Sequence, residues 1–146
     1  MFKKIVLVLF MAVLSFAQTN FSEPQPSFDK PRKVVYSLHV GDVDTVSHTI
    51  GSMYNILKEY PAESLKIVVV AYGKGMRALK NDFDKTTLDR IKSLMEYDVE
   101  FIGCKNTMET MGWKESDFLE GISFTQAGIV EVIEKQQDGH IGITAY

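Results

Sequence analysis

Two patterns of apolar residues alternate along residues 33–145. Runs of consecutive apolar residues, such as Leu65 to Tyr72 (LKIVVVAY), are typical of strands that are covered on both faces of a sheet. The segments between these runs carry apolar residues at steps of three and four, which indicates one face of a helix. The alternation predicts an α/β fold with a mostly parallel five-stranded sheet and helices on both faces, in a three-layer, flavodoxin-like arrangement. The predicted strands are residues 33–40, 65–72, 99–104, 122–124 and 141–145.

Polar residues mark where the helices are expected to begin and end. The first helix follows Gly41-Asp42 and should stop before Pro61. Pairs of residues three apart resemble capping boxes and predict three later helix starts. These pairs are Thr86 with Asp89, Asn106 with Glu109, and Ser123 with Gln126. The last helix is expected to run through Gln137 and to face inward with Ile129, Val130 and Ile133.

The first 32 residues have a different character. Lys3 and Lys4 precede an apolar stretch that ends in a small-x-small pattern at Ala17, which is typical of a secretory signal. The apolar stretch is about 12 residues long, whereas a permanent span needs about 20. We therefore predict a signal peptide over residues 1–17 cleaved near Ala17, a flexible proline-containing linker over 18–32, and one domain over 33–146. The mature protein is expected in the periplasm, without a stable membrane anchor.

The charge balance excludes one class of partner. The 146-residue chain has a net charge of −3, and loss of Lys3 and Lys4 makes it −5. No run of Lys or Arg is present, and binding to nucleic-acid phosphates requires a concentrated positive surface. We therefore expect no nucleic-acid partner.

Cys104 is the single cysteine, and it lies at the junction of the third predicted strand with the next helix. Open α/β sheets bind ligands at the carboxyl ends of their strands. Backbone N–H groups and a helix amino terminus at that edge favour a thiolate, the nucleophilic form of cysteine. A buried, inert thiol that acts as a small apolar side chain is the alternative.

Other residues near this edge are candidates for ligand binding. Asn106 and Thr107 have side chains and amides that suit a sulfur anion, although they would equally suit helix capping. Lys105 adds a positive charge, and His39 ends the first strand at the same edge. Gly73 and Gly75 are too few for a nucleotide-binding fingerprint and are expected to form a positive-φ turn beside the site.

Metal binding has weaker support. Met108 and Met111 follow Cys104, and a thiolate with thioethers suits Cu(I), but methionines that pack a helix are the more ordinary explanation. One cysteine cannot supply a zinc-type cysteine set. We therefore predict no metal and no cofactor.

Three stretches together resemble the DsrE/DsrF-like family of small sulfur-relay proteins. They are residues 66–75 (KIVVVAYGKG), 99–108 (VEFIGCKNTM) and 127–139 (AGIVEVIEKQQDG), of which Cys-x-Asn-Thr-Met is the most specific. The resemblance implies a five-stranded α/β fold, assembly into homo-trimers or homo-hexamers, and a persulfide-carrying cysteine at the position of Cys104.

These considerations lead to one main hypothesis and two alternatives. The main hypothesis is a periplasmic sulfur carrier that accepts or transfers sulfane sulfur on Cys104. The donor or acceptor is a small molecule or a protein, and sulfurtransferase activity is left open. The first alternative is a non-catalytic module that binds a small anion, thiol or soft metal beside a pocket-lining cysteine. The second is an assembly protein in which Cys104 is inert.

Overall fold

The fold is known from a computed structural model that describes residues 18–146. The predicted signal peptide, residues 1–17, lies outside the described residues. Five strands and four α-helices alternate, with two 3₁₀ segments at Gly73–Leu79 and Glu115–Asp117. The strands are β1 (Arg32–Leu38), β2 (Leu65–Ala71), β3 (Glu100–Cys104), β4 (Ser123–Thr125) and β5 (Ile141–Thr144). The helices are α1 (Val43–Glu59), α2 (Lys85–Glu96), α3 (Lys105–Met111) and α4 (Gly128–Gln137).

The five strands form one parallel sheet in the order β4-β3-β2-β1-β5. The predicted α/β architecture is therefore confirmed. All carboxyl ends lie at one edge, as expected when each strand is followed by a crossover segment. In the register, Leu38 pairs with Ala71, Ala71 with Gly103, and Cys104 with Thr125. The residues that follow β1 and β2 therefore lie beside Cys104 at this edge.

The two faces of the sheet carry separate clusters of buried side chains, because alternate residues of a strand point to opposite faces. The larger cluster packs under α1 and α2 and includes Tyr36, Val69 and Phe101. The smaller cluster lies on the other face and consists of Val35, Val68, Val70, Ile102 and Val132. The strands are therefore covered on both faces, as their continuous apolar runs predict.

The inward face predicted for α4 is wrong. Ile129, Val130 and Ile133 are each at least half exposed, whereas Gly128 and Val132 are buried. Because α4 contacts the strands through a narrow stripe one turn apart, apolar residues beside that stripe remain on the outer side. The helix therefore presents an uncovered apolar surface.

None of the three predicted capping residues caps its helix: α2 begins earlier and α4 later than predicted, whereas α3 begins just past Cys104 as expected. The side chain of Asp84, rather than Thr86, caps α2 by accepting a hydrogen bond from the Thr87 amide. Helix α3 begins directly after Cys104 and places Asn106 inside its first turn. Helix α4 begins after Ala127, without a side-chain cap. The start of α3 follows from the end of β3 directly before it, which a capping pattern does not reveal.

The segment before β1 contains no helix or strand over residues 18–31. Its residues nevertheless contact the domain, since Phe21 packs on Tyr60 with ring centroids 4.7 Å apart. Arg32 also donates a hydrogen bond to the Ser22 carbonyl at 2.6 Å. Within residues 18–146, none of the helices has the length and apolar character that crossing a bilayer requires.

Candidate functional site

The candidate site lies at the carboxyl edge of the sheet, where β3 passes into α3. Cys104 is the last residue of β3 and also the residue that precedes the first turn of α3. His39 and Tyr72 follow β1 and β2, and their rings stack with centroids 6.3 Å apart. The fold therefore brings His39, Tyr72 and Cys104 to the same edge. His140 precedes β5 and lies at the opposite edge.

The sulfur of Cys104 lies under the first turn of α4. The Gly128 N–H donates a hydrogen bond to Sγ at an N···S distance of 3.3 Å. The thiol itself donates a long contact to the Gln126 carbonyl at 3.8 Å. A Cβ at position 128 would lie 2.9 Å from the Tyr72 Cβ and 3.2 Å from the Cys104 Cβ. Glycine is therefore required there for the backbone to approach the sulfur so closely.

The surroundings of the thiol act on its pKa in opposite directions. Burial raises the pKa of Cys104, and it is the largest single influence. Hydrogen bonding from the Gly128 amide, the Thr107 hydroxyl and amide, and the Asn106 amide lowers it. The donors together outweigh burial, so the pKa lies below its usual value. The Gly128 contact is the firmest of them, because the Asn106 amide also donates to the Gln126 carbonyl at 3.0 Å.

The sulfur is nevertheless covered. Cys104 is only 5% exposed, so a reagent must displace part of its surroundings to reach it. Thr107 is part of this cover, and its Oγ1 accepts a hydrogen bond from the Gly73 N–H at 2.9 Å. The site thus combines donors suited to a thiolate with restricted access, which the sequence offers only as two alternatives, a thiolate held by donors or a buried thiol.

A cleft of about 1400 Å³ opens next to Thr107 at the same edge. His39, Gly73, Asn106 and Thr107 line one part of it, and Cys104 is not among its lining residues. The four predicted residues therefore share one cavity, which is separate from the sulfur atom in this conformation.

The other predicted ligand residues are placed less directly. Gly73 has φ of +54°, so the predicted positive-φ turn is present there. Gly75 is not part of that positive-φ turn; it is buried, and a Cβ would lie 1.9 Å from the Leu38 carbonyl oxygen. Lys105 pairs with Glu115, with Nζ and Oε1 3.3 Å apart. The Asn106 side chain accepts a hydrogen bond from the Gln126 side chain at 2.6 Å.

A metal centre receives no structural support in the part of the chain that is described. No group of three or more His, Cys, Asp or Glu side chains converges within residues 18–146. Met108 is buried in the larger core cluster, and Met111 is 54% exposed. The two methionines therefore have different environments, which does not favour a shared Cu(I) site with Cys104.

Sequence reasoning assigned no role to several residues of this edge. Gly128 supplies the closest amide to the sulfur, yet it is 24 residues away along the chain. Lys74 and Arg77 line the cleft. A glycine at the start of a helix is a weak signal for close backbone approach, and only the sheet order shows what it approaches.

Comparisons with known proteins agree with this architecture. The chain is similar to MTH1491, a protein of unknown function from Methanobacterium thermoautotrophicum, with 27% identity and a TM-score of 0.71. It is also similar in fold to the YchN protein of E. coli, with 12% identity and a TM-score of 0.60. Each comparison covers 77% of this chain and 98% of the other. No functionally curated protein matches the sequence significantly.

The strongest comparison is with a family of sequences. The model of the DsrE/DsrF-like family matches residues 40–145, which include every strand after β1 and the junction of β3 with α3 at Cys104. The five-stranded parallel sheet agrees with this match, as do the two solved structures. The chain therefore belongs to the DsrE/DsrF-like family.

Proposed function

We propose that this protein carries sulfane sulfur as a persulfide on Cys104. Membership of the family supports a role in sulfur relay in general. The observation that carries the specific proposal is the Gly128 N–H that points at Sγ from 3.3 Å, with the pKa of the thiol lowered by this and neighbouring donors. Such donors stabilise an anionic sulfur, which is the form that attacks sulfane sulfur.

The chemistry is a transfer of one sulfur atom. The Cys104 thiolate attacks the outer sulfur of a donor persulfide R–S–S⁻ and forms a new S–S bond. The S–S bond of the donor breaks, and its electron pair leaves with the thiolate R–S⁻. Cys104 then carries the persulfide, and the reverse attack by an acceptor thiolate releases it. Because Cys104 is 5% exposed, the cover that includes Thr107 must open for each transfer.

A mass measurement tests this proposal. Incubation of the protein with polysulfide, followed by intact-mass analysis, is expected to show increments of about 32 Da that dithiothreitol removes. The Cys104→Ser variant is the control and should show none. A wild-type protein that gains no increment, while its thiol still reacts with iodoacetamide after unfolding, would contradict the carrier and favour an inert cysteine.

The pH dependence of alkylation provides a second measurement. A lowered thiol pKa means that the rate of reaction with iodoacetamide reaches half its maximum at a lower pH in the folded protein than in the unfolded protein. By the same linkage, the thiolate stabilises the folded protein above the pKa of the unfolded thiol. This contribution is lost as the pH falls through the folded pKa. A half-maximum at the same pH as in the unfolded protein, or at a higher pH, would contradict the role of the donors.

The restricted access of the sulfur favours one alternative. In a non-catalytic binding module, Cys104 would support the edge of a ligand site without reacting. The test is the ligand affinity of the Cys104→Ala variant. This alternative predicts an unchanged affinity, whereas a carrier would lose persulfide transfer in the same variant.

We also propose that the protein acts outside the cytoplasm as a homo-trimer or homo-hexamer. The basic and apolar residues before Ala17 support export. The exposed Ile129, Val130 and Ile133 on α4 support association with other copies of this chain, because clustered exposed apolar residues mark interaction surfaces.

A further inference from the structure

The cleft at this edge of the sheet has an apolar wall. Five side chains form this wall: Val40, Val43, Phe83, Met111 and Trp113. Met111 is 54% exposed and Val43 is 43% exposed, so part of this wall is open to a ligand. A cleft of about 1400 Å³ is larger than a sulfide or polysulfide ion needs. The wall therefore fits a ligand with an organic, apolar part.

The charges around the cleft are not equally available to a ligand. Asp42 caps α1 by accepting the Thr45 amide at 2.8 Å, and Asp84 caps α2 in the same way through Thr87. The partial positive charge of a helix amino terminus offsets such a carboxylate. The third acid, Asp82, pairs with the Lys80 ammonium at 3.4 Å. Each acidic side chain of the cleft therefore has a cationic or dipolar partner.

Two basic residues of the cleft have no such partner. Lys74 and Arg77 are exposed, and neither forms an ion pair or a side-chain hydrogen bond within residues 18–146. They belong to the 3₁₀ segment that follows β2, so both are held close to Gly73 and its bond to Thr107. Positive charge is thus available in the same cleft that the apolar wall and Thr107 line.

We propose that this cleft binds an organic anion, with its apolar group against Phe83, Met111 and Trp113 and its charged group at Lys74 and Arg77. The use of this cleft for sulfur transfer rests on the proposed function of Cys104, whereas the binding of an anion does not depend on that function. The matching donor class is an organic anion that bears sulfane sulfur, such as a thiosulfonate. The Cys104 thiolate attacks the terminal sulfur of R–SO₂–S⁻ and forms Cys–S–S⁻. The sulfinate R–SO₂⁻ leaves with the electron pair of the broken S–S bond.

Trp113 provides a direct readout of binding, because it is the single tryptophan of the chain and lines the cleft. The probe is benzenesulfonate, a non-reactive organic anion, titrated into Cys104→Ser while Trp113 fluorescence is recorded. We expect a saturable change that weakens with increasing salt, since exposed charges are screened. The neutral benzenesulfonamide should bind about tenfold more weakly or not at all.

Variants separate the cleft from the general surface charge. Lys74→Gln with Arg77→Gln is expected to raise the Kd for benzenesulfonate about tenfold. Lys92→Gln on α2 removes an exposed charge outside the cleft and should leave the Kd unchanged. Equal binding of sulfonate and sulfonamide to the unmutated cleft overturns the inference without any variant. The inference is also overturned if Lys92→Gln raises the Kd for benzenesulfonate as much as the double variant in the cleft does.

The outcome for binding is distinguishable from the outcome for sulfur transfer. Benzenethiosulfonate added to wild-type protein reports persulfide on Cys104 by mass, whereas benzenesulfonate reports only the cleft. Sulfonate binding without any mass increment leaves the cleft assigned and removes the carrier function. If polysulfide produces a persulfide on Cys104 but benzenesulfonate does not bind, the carrier function stands and the assignment of the cleft is overturned.

Discussion

At the scale of single residues, the chemistry of this edge depends on a contact between Cys104 and the backbone of Gly128. The amide reaches the sulfur only because residue 128 has no side chain between Tyr72 and Cys104. The thiol therefore owes its lowered pKa to a glycine as much as to any polar side chain. A substitution at Gly128 should change stability and reactivity together.

Gly128→Ala is expected to lower the free energy of unfolding by about 1–3 kcal/mol, because the added methyl group overpacks the space beside Tyr72 and Cys104. It should also raise the pKa of Cys104, since the amide is pushed away from Sγ. Urea unfolding and the pH dependence of alkylation measure the two effects.

Gly51→Ala is the matched control for this substitution. Gly51 lies within α1, and a Cβ there would meet only the flexible end of Arg90 at 3.3 Å. Alanine is favoured over glycine inside a helix, so a gain of about 0.5–1 kcal/mol is expected. If Gly128→Ala behaved like Gly51→Ala, close packing at the sulfur would not be the reason for the glycine.

At the scale of elements, the starts of α1 and α2 show how acidic residues beside the cleft are used. Asp42 and Asp84 each accept an amide hydrogen bond from the first turn of the helix that follows. The bond from the Thr87 amide is the main cause of the lowered pKa of Asp84, and the Thr87 hydroxyl adds a second. These carboxylates are therefore structural parts of the helices.

Asp84→Ala is expected to lower the Tm by roughly a few degrees at pH 7, because the Thr87 amide loses its acceptor. Asp84→Asn should retain most of the cap. A carboxylate with a lowered folded pKa stabilises the protein above its unfolded pKa, about 3.9, and loses that effect as the pH falls. The Tm difference between wild type and Asp84→Ala should therefore shrink below about pH 4.

Lys92→Ala on the exposed side of α2 serves as the control, because it removes a charge but no cap. Thermal unfolding of all four proteins between pH 3 and 7 measures the effect. A Tm difference that is independent of pH would argue against the carboxylate as the capping group.

At the scale of the whole molecule, the outer side of α4 stays exposed although the sheet is covered on both faces. Helices α1 and α2 share one face, whereas α4 packs on the other through Gly128 and Val132. The outer apolar residues of α4 therefore belong to the same helix whose first residue, Gly128, donates a hydrogen bond to the Cys104 sulfur. Association of copies through α4 would therefore place an interface next to the candidate site.

Ile133→Glu tests this proposed association. A charge buried in an apolar interface is costly, so the variant is expected to elute as a monomer while the wild type elutes as a trimer or hexamer. Multi-angle light scattering measures the mass in each case. Gln137→Glu adds the same charge at an exposed polar position of α4 and should not dissociate the assembly. A monomeric wild type would contradict the proposal.

The sequence by itself determined the order of strands and helices in the chain, because continuous apolar runs and three-four spacing are local properties that follow from burial. It also indicated that Cys104 ends a strand and that His39 shares its edge, since parallel strands align their carboxyl ends. The family resemblance on residues 99–108 agreed with these inferences.

Only the tertiary structure decided which groups surround the sulfur. Gly128 and Gln126 are more than 20 residues from Cys104, and β3–β4 pairing with the following turn brings them back to it. The outward side of α4 was likewise decided by the position of the helix over the sheet, which its apolar spacing does not specify. Contacts between distant segments depend on the packing of the whole sheet, so no local pattern encodes them.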